Sequence, residues 1–181
     1  MSVPMVQEHF CIYNDTMSHN TTATPLTEVL SLIASQSPLL SAEGLNKLGQ
    51  LAFNEARVKV EAGQAGAIAA IVDAMKRSQE NGSVQEDGCR VLRTVAFHCE
   101  ANLNLVQAEG AVDAVATALK LHHANEAVVA EGFWALVVFC ANHLGNTTVA
   151  KERVNVAELM AEHASNAEIQ KKGLFLTVLF G

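Results

Sequence analysis

Aromatic residues are scarce: seven Phe, one Trp and one Tyr in 181 residues. A β-sandwich draws on aromatic and β-branched residues in strict alternation, and that supply is missing here. Proline occurs only at Pro4, Pro25 and Pro38, so nothing beyond residue 38 forces a kink in a helix. Cations are also few: 12 Lys and Arg stand against 19 Asp and Glu, for a net charge of −7. A duplex nucleic-acid binder needs a basic face to displace counterions from phosphate, so nucleic acid is not an expected partner. No uncharged apolar run reaches the ~18 residues of a membrane span, so no membrane partner is expected either. Met1 to Tyr13 lacks both the basic start and the unbroken apolar stretch of a secretion signal. The four cysteines, Cys11, Cys89, Cys99 and Cys140, form no Cys-x-x-Cys pair. They are expected to be reduced, buried thiols in a cytoplasmic or nuclear protein.

Half of the residues are apolar, and alanine, valine and leucine lead that set, which favours closely packed helices. Those residues recur. Gly66-Ala67-Ile68 is matched by Gly110-Ala111-Val112, 44 residues on. The same offset pairs Asn81 with Asn125, Val84 with Val128, Gly88 with Gly132, Leu92 with Leu136 and Val95 with Phe139. Backwards it reaches Gly44; forwards, at an offset of 41, it pairs Asn125, Val128 and Gly132 with Asn166, Ile169 and Gly173. Each unit holds a helix of about three turns, with apolar residues at i, i+3, i+4 and i+7. Ile68, Ile71, Val72 and Met75 form one such stripe; Val112, Val115, Ala116 and Leu119 form the next. Val156, Leu159 and Met160 form the third, which His163 completes. A polar turn follows, and its Asn is suited to cap a longer second helix. The repeated Gly44, Gly88, Gly132 and Gly173 lie inside that second helix, where glycine costs up to ~1 kcal/mol. A neighbouring helix passing too close for a side chain is the expected reason. A short third element, such as Asn102 to Glu109, joins one unit to the next.

The Gly-Ala-Ile/Val starts, the Asn-x-x-Val-Gln-Glu entry at Asn81 to Glu86, and the Leu-x-x-Val/Leu-Ala ends (Leu48 to Ala52, Leu92 to Ala96) resemble the armadillo repeat family. HEAT repeats are the nearest competitor, and their units usually lack the short third helix. The resemblance implies an all-α, right-handed α-α superhelix of about four repeats, the first and last incomplete. Approximate repeats are 24–65, 66–109, 110–150 and 151–181, preceded by a flexible or capping segment at 1–23.

The resemblance also implies protein or extended-peptide binding on a concave face lined by the long helices. Importin-like members carry a Trp there and, four residues on, an Asn that pairs with the peptide backbone. Trp134 stands in the Trp register, with Asn46, Arg90 and Phe175 at the equivalent places. The Asn positions are Gln50, Thr94, Val138 and Leu179, so the asparagine ladder is absent, with Gln50 the one stand-in. The candidate groove is therefore Asn46, Gln50, Arg90, Thr94, Trp134 and Val138. Trp134 has two readings, a packed ridge between repeats or an exposed binding anchor.

No chemistry is expected. His122, His123, His143 and His163 are scattered and match no zinc pattern; His122 and His163, at the end of the shorter helix, suit its last-turn carbonyls. His98 and Cys99 are adjacent on the chain, with no third group to orient them. No P-loop, Gly-x-Gly-x-x-Gly or Gly-x-Ser-x-Gly occurs. The expectation is a non-enzymatic scaffold or adaptor with no cofactor and no metal. The alternatives are a spacer within a larger signalling or cytoskeletal protein, and transport-like cargo binding. The apolar segment Gly173 to Gly181 lacks a polar outer face; it suggests continuation into further repeats, or docking against a partner or a second copy.

Overall fold

A computed structural model describes residues 26–181. The expected flexible or capping segment at 1–23, together with Cys11, lies outside the described residues. Among the described residues the chain is all-helical, with eleven helices and no strand. They are α1 (Leu26–Ile33), α2 (Pro38–Ala52), α3 (Ala56–Gln64), α4 (Ala67–Arg77), α5 (Gly82–Ala96) and α6 (Glu100–Ala108). They continue as α7 (Ala111–Leu121), α8 (Glu126–Cys140), α9 (Leu144–Arg153), α10 (Val156–Glu162) and α11 (Ala167–Phe180).

Equivalent helices pack on one another. The long helices form one row, α2 on α5, α5 on α8 and α8 on α11. The short helices α3, α6 and α9 form another. In the third row α1 packs on α4 and α4 on α7. The apolar stripes point between the rows: Ile68, Ile71, Val72, Met75, Val112, Val115 and Leu119 are all buried, as are Leu92, Val95, Phe133, Leu136 and Phe139. The stripes are covered from two sides, by the long helix of the same unit and by the equivalent helices of neighbouring units.

Local chemistry sets the helix ends. Asn81 accepts from Val84 N–H, Asn125 from Ala127 and Val128, and Asn166 from Glu168 and Ile169. Each of these starts a long helix by satisfying donors that have no partner within the helix. The long helices then end through a residue with positive φ: Asn54 (58°), His98 (56°) and Asn142 (62°), again 44 residues apart. The in-helix glycines mark close approach. A Cβ on Gly88 would lie 2.6 Å from Met75 Cγ, and one on Gly132 would lie 2.7 Å from Leu119 Cδ2. Gly44 sits in the same way against Ile33 and Leu32, and Gly173 against Met160.

Buried asparagines tie unit to unit. Asn102 Nδ2 donates to Val95 O and to Lys59 O, both at 2.8 Å. Its equivalent, Asn146, donates to Phe139 O at 3.0 Å and Leu103 O at 3.4 Å. The histidines expected to serve their own helix ends reach further. His122 Nε2 donates to Gln79 O and His163 Nε2 to His123 O, both at 2.6 Å, so each imidazole serves the turn of the preceding unit. The imidazole is long enough to leave its own helix end, and stacking brings the neighbouring turn within reach.

The last unit departs from the others. The boundary expected at 150 falls inside α9, and the glycine with positive φ that opens α4 and α7 has no counterpart. Asn155 caps α10 instead, accepting from Glu158 N–H. With three residues missing, α10 is one turn shorter than α4 and α7. A cleft of about 480 Å³ opens between α7 and the α9–α10 junction, lined by Lys120, His123, Arg153 and Glu162 among others.

Candidate functional site

The expected groove residues all lie on the row of long helices: Asn46 and Gln50 on α2, Arg90 and Thr94 on α5, and Trp134 and Val138 on α8. They separate into two groups. In the first, Arg90 Nη2 donates to Asn46 Oδ1 at 2.7 Å and pairs with Asp87. Asn46 Nδ2 closes the ring by donating to Asp87 Oδ2 at 3.0 Å, and it also donates to Ala42 O. This network satisfies its own members. Thr94 Oγ1 donates to Arg90 O at 2.8 Å, which leaves its methyl group for packing. Gln50 is exposed on the outer turn of α2.

The second group centres on Trp134. Its side of α8 faces solvent, and the residue is 42% exposed, while Phe133 and Ala135 beside it are fully buried. The cation beside it is Arg93, whose guanidinium carbon lies 3.8 Å from the ring centroid; Arg90 is tied to Asn46 and Asp87. Lys172 of α11 also lies over the ring, at 4.6 Å. Both distances are within cation–π range. Arg93 Nη2 is paired with Glu131 Oε2 at 3.1 Å, and both side chains are largely buried. Burial pulls the Arg93 pKa down and Glu131 pulls it back up, while Arg90 adds repulsion. Arg93 Nε is buried without a hydrogen-bond partner among the described residues. Nearby, burial raises the pKa of Glu86, with the charges of Asp87 and Glu131 adding to it.

Beside Trp134 and Val138 is a cleft of about 200 Å³. Phe53 and Phe97 form its outer edge, with Lys59, Arg93 and Thr94 inside. The two phenylalanines are equivalent C-caps of α2 and α5. Each adopts an extended conformation directly before the positive-φ residue Asn54 or His98. That break in the helix turns the ring outward, leaving Phe53 67% and Phe97 49% exposed. At the third equivalent place stands Ala141, so the aromatic edge stops there. Arg93, Lys59, Phe53, Phe97 and Lys172 were not among the residues expected from sequence. A signal existed: Arg93 stands where the repeat has Gly49 and Val137, and Lys59 where it has Leu103.

Reactive groups are few. Cys89, Cys99 and Cys140 are free and buried. Burial and the Glu131 charge push the Cys89 thiol far up, and burial raises Cys140 to about 11 although Thr147 lowers it. His98 packs edge-on against Phe97, at 4.1 Å between centroids. Among the described residues no three His, Cys, Asp or Glu side chains are grouped to hold a metal ion. No helix among them is long and apolar enough to cross a membrane. Compared with known proteins, the chain matches no protein-family model and no curated protein.

Proposed function

We propose that the chain is an armadillo-like solenoid, a right-handed α-α superhelix, and that it works as a non-enzymatic interaction module. The spacing of equivalent helices, their packing in rows, the repeated Asn caps and the short helices α3, α6 and α9 support the armadillo reading over HEAT. Its ligand is a protein or an extended peptide lying across the row of long helices. The observation that carries this reading is Trp134: a large aromatic side chain, 42% exposed, held by two cations on an otherwise packed helix. A rigid aromatic anchor with a cationic neighbour is the type of group that dominates interface energetics. Free, buried cysteines suit a reducing compartment, the cytoplasm or nucleus.

Transport-like recognition of a peptide backbone is less well supported, because Thr94 and Val138 stand where the asparagines would be, and Thr94 is bonded to its own helix. The spacer reading draws on the Asn46–Asp87–Arg90 network, which is complete without a ligand.

The test is selection from a displayed library of random dodecapeptides on the full chain. Selected peptides should bind at least about tenfold more weakly to Trp134→Ala, the loss of one ordinary hot spot. Equal binding to both proteins would remove the groove, and a failure to select any peptide would favour the spacer.

A further inference from the structure

The cleft beside Trp134 contains a buried cation with no carboxylate partner among the described residues. Lys59 is only 8% exposed. Its ammonium donates to Phe97 O at 3.0 Å and lies 5.4 Å from the Phe97 ring. Among the described residues it meets no carboxylate within ion-pair distance. A lysine is rarely this buried without a carboxylate, because the charge has lost its water. The end of α5 compensates in part, since Phe97 O is one of its last carbonyls.

Packing does not require this charge. The equivalent residue one unit on is Leu103, which is half-buried. Arg93 makes the same point, because its equivalents are Gly49 and Val137. Glu131 neutralises Arg93, but Arg93 Nε still lacks an acceptor among the described residues. Two cations have thus replaced apolar or small residues at one repeat boundary, and both line the same cleft. Only there do they meet exposed aromatic rings. The cleft's 200 Å³ is below the ~300 Å³ at which small-molecule sites begin, and is closer to the size of a peptide side chain.

We propose that this cleft is the specificity pocket of the interaction surface, and that it takes a carboxylate side chain of an extended acidic peptide beside Lys59 and Arg93. The inference rests on the peptide-binding reading and adds the ligand's charge. The carboxylate supplies the counter-charge that Lys59 lacks among the described residues. The Phe97 and Trp134 rings cover the apolar neighbour of the acidic residue and exclude water from the pair, which strengthens it. Basic peptides are rejected because they would bring a further cation beside Lys59 and Arg93.

The test uses the same dodecapeptide selection on the full chain, then synthetic peptides. Selected sequences should share an Asp or Glu next to an aromatic or aliphatic residue. Changing that Glu to Gln in the peptide should weaken binding to the wild-type chain by about ten- to a hundredfold, the worth of a charge-assisted hydrogen bond. Lys59→Leu, which installs the residue of the next unit, should make the Glu and Gln peptides bind alike. Thr94→Glu keeps both cations but places a charge inside the cleft, and it should repel the acidic peptide while the circular dichroism melt is retained. A neutral or basic consensus still lost in Trp134→Ala would overturn the acidic pocket and leave the peptide-binding reading standing. Selection of no peptide would overturn both. An undiminished Glu preference in a folded Lys59→Leu protein would remove Lys59 from the site.

Discussion

Asn102→Ala probes how the units are held together. Asn102 is 1% exposed, and its amide joins α6 to Val95 O in its own unit and to Lys59 O in the preceding one, each at 2.8 Å. Val95 O belongs to the last turn of α5, where the helix has no donor of its own. Truncation leaves the bonds unmade and the carbonyl dry. At ~1 kcal/mol for the bond to Lys59 O, and ~1–3 kcal/mol for leaving the buried Val95 O unsatisfied, the loss should be about 2–4 kcal/mol. Urea unfolding followed by helical circular dichroism measures it as a lower midpoint at unchanged slope. Asn146→Ala should cost less, because its bonds are longer (3.0 and 3.4 Å) and its Oδ1 already has no partner among the described residues. Gly63 supplies a cross-check. A Cβ there would collide with Asn102 Oδ1, so Gly63→Ala should be damaging in the wild type and much less so beside Asn102→Ala. The coupling should exceed about 1 kcal/mol. A loss below ~0.5 kcal/mol for Asn102→Ala, or simple additivity with Gly63→Ala, would refute this account of the unit junctions.

The two kinds of glycine should respond differently. Gly132→Ala forces Leu119 to move and should cost about 1–3 kcal/mol; Gly66→Ala, at φ 80° with open space around it, should cost about 1 kcal/mol through backbone strain alone. Both are measured by urea midpoint. Glu86 has a raised pKa in the folded chain, so the folded state binds its proton more tightly. Its contribution is full below the ordinary value of 4.5 and is lost as pH rises through the folded value. Glu86→Gln should therefore flatten the fall in stability above pH 4.5, with a gain of no more than ~0.5 kcal/mol at neutral pH for this partly solvated group. A pH–stability profile identical to wild type would contradict the assignment. Cys89 and Cys140 should resist a thiol reagent at neutral pH until urea unfolds the chain, since burial holds both as thiols.

The features legible in the sequence are those that recur locally. The 44-residue offset located the Asn caps, the crowded glycines and the apolar stripes, because each depends on its own helix or the adjacent one. What was not legible depends on contacts between units. Trp134 lies on the long-helix row, but its cation partner comes diagonally from Arg93, which helix crossing decides and repeat register does not. Arg90, in the expected register, is instead closed in with Asn46 and Asp87. His122 and His163 serve carbonyls in the preceding unit, a target that appears only when the units stack. Likewise, the three missing residues of the last unit were visible in the offset, but the cleft between α7 and the α9–α10 junction was not.

Trp134 is the only tryptophan in the chain, so its fluorescence reports on this surface alone. The most direct test of the proposed binding face is to titrate the full chain with a selected peptide that lacks Trp, following emission and, in parallel, heat of binding. The account predicts a blue shift that saturates at the stoichiometry found by calorimetry, as the peptide removes the 42% of Trp134 now open to water. Calorimetric saturation with unchanged emission would mean that the chain binds elsewhere, and would contradict the central claim.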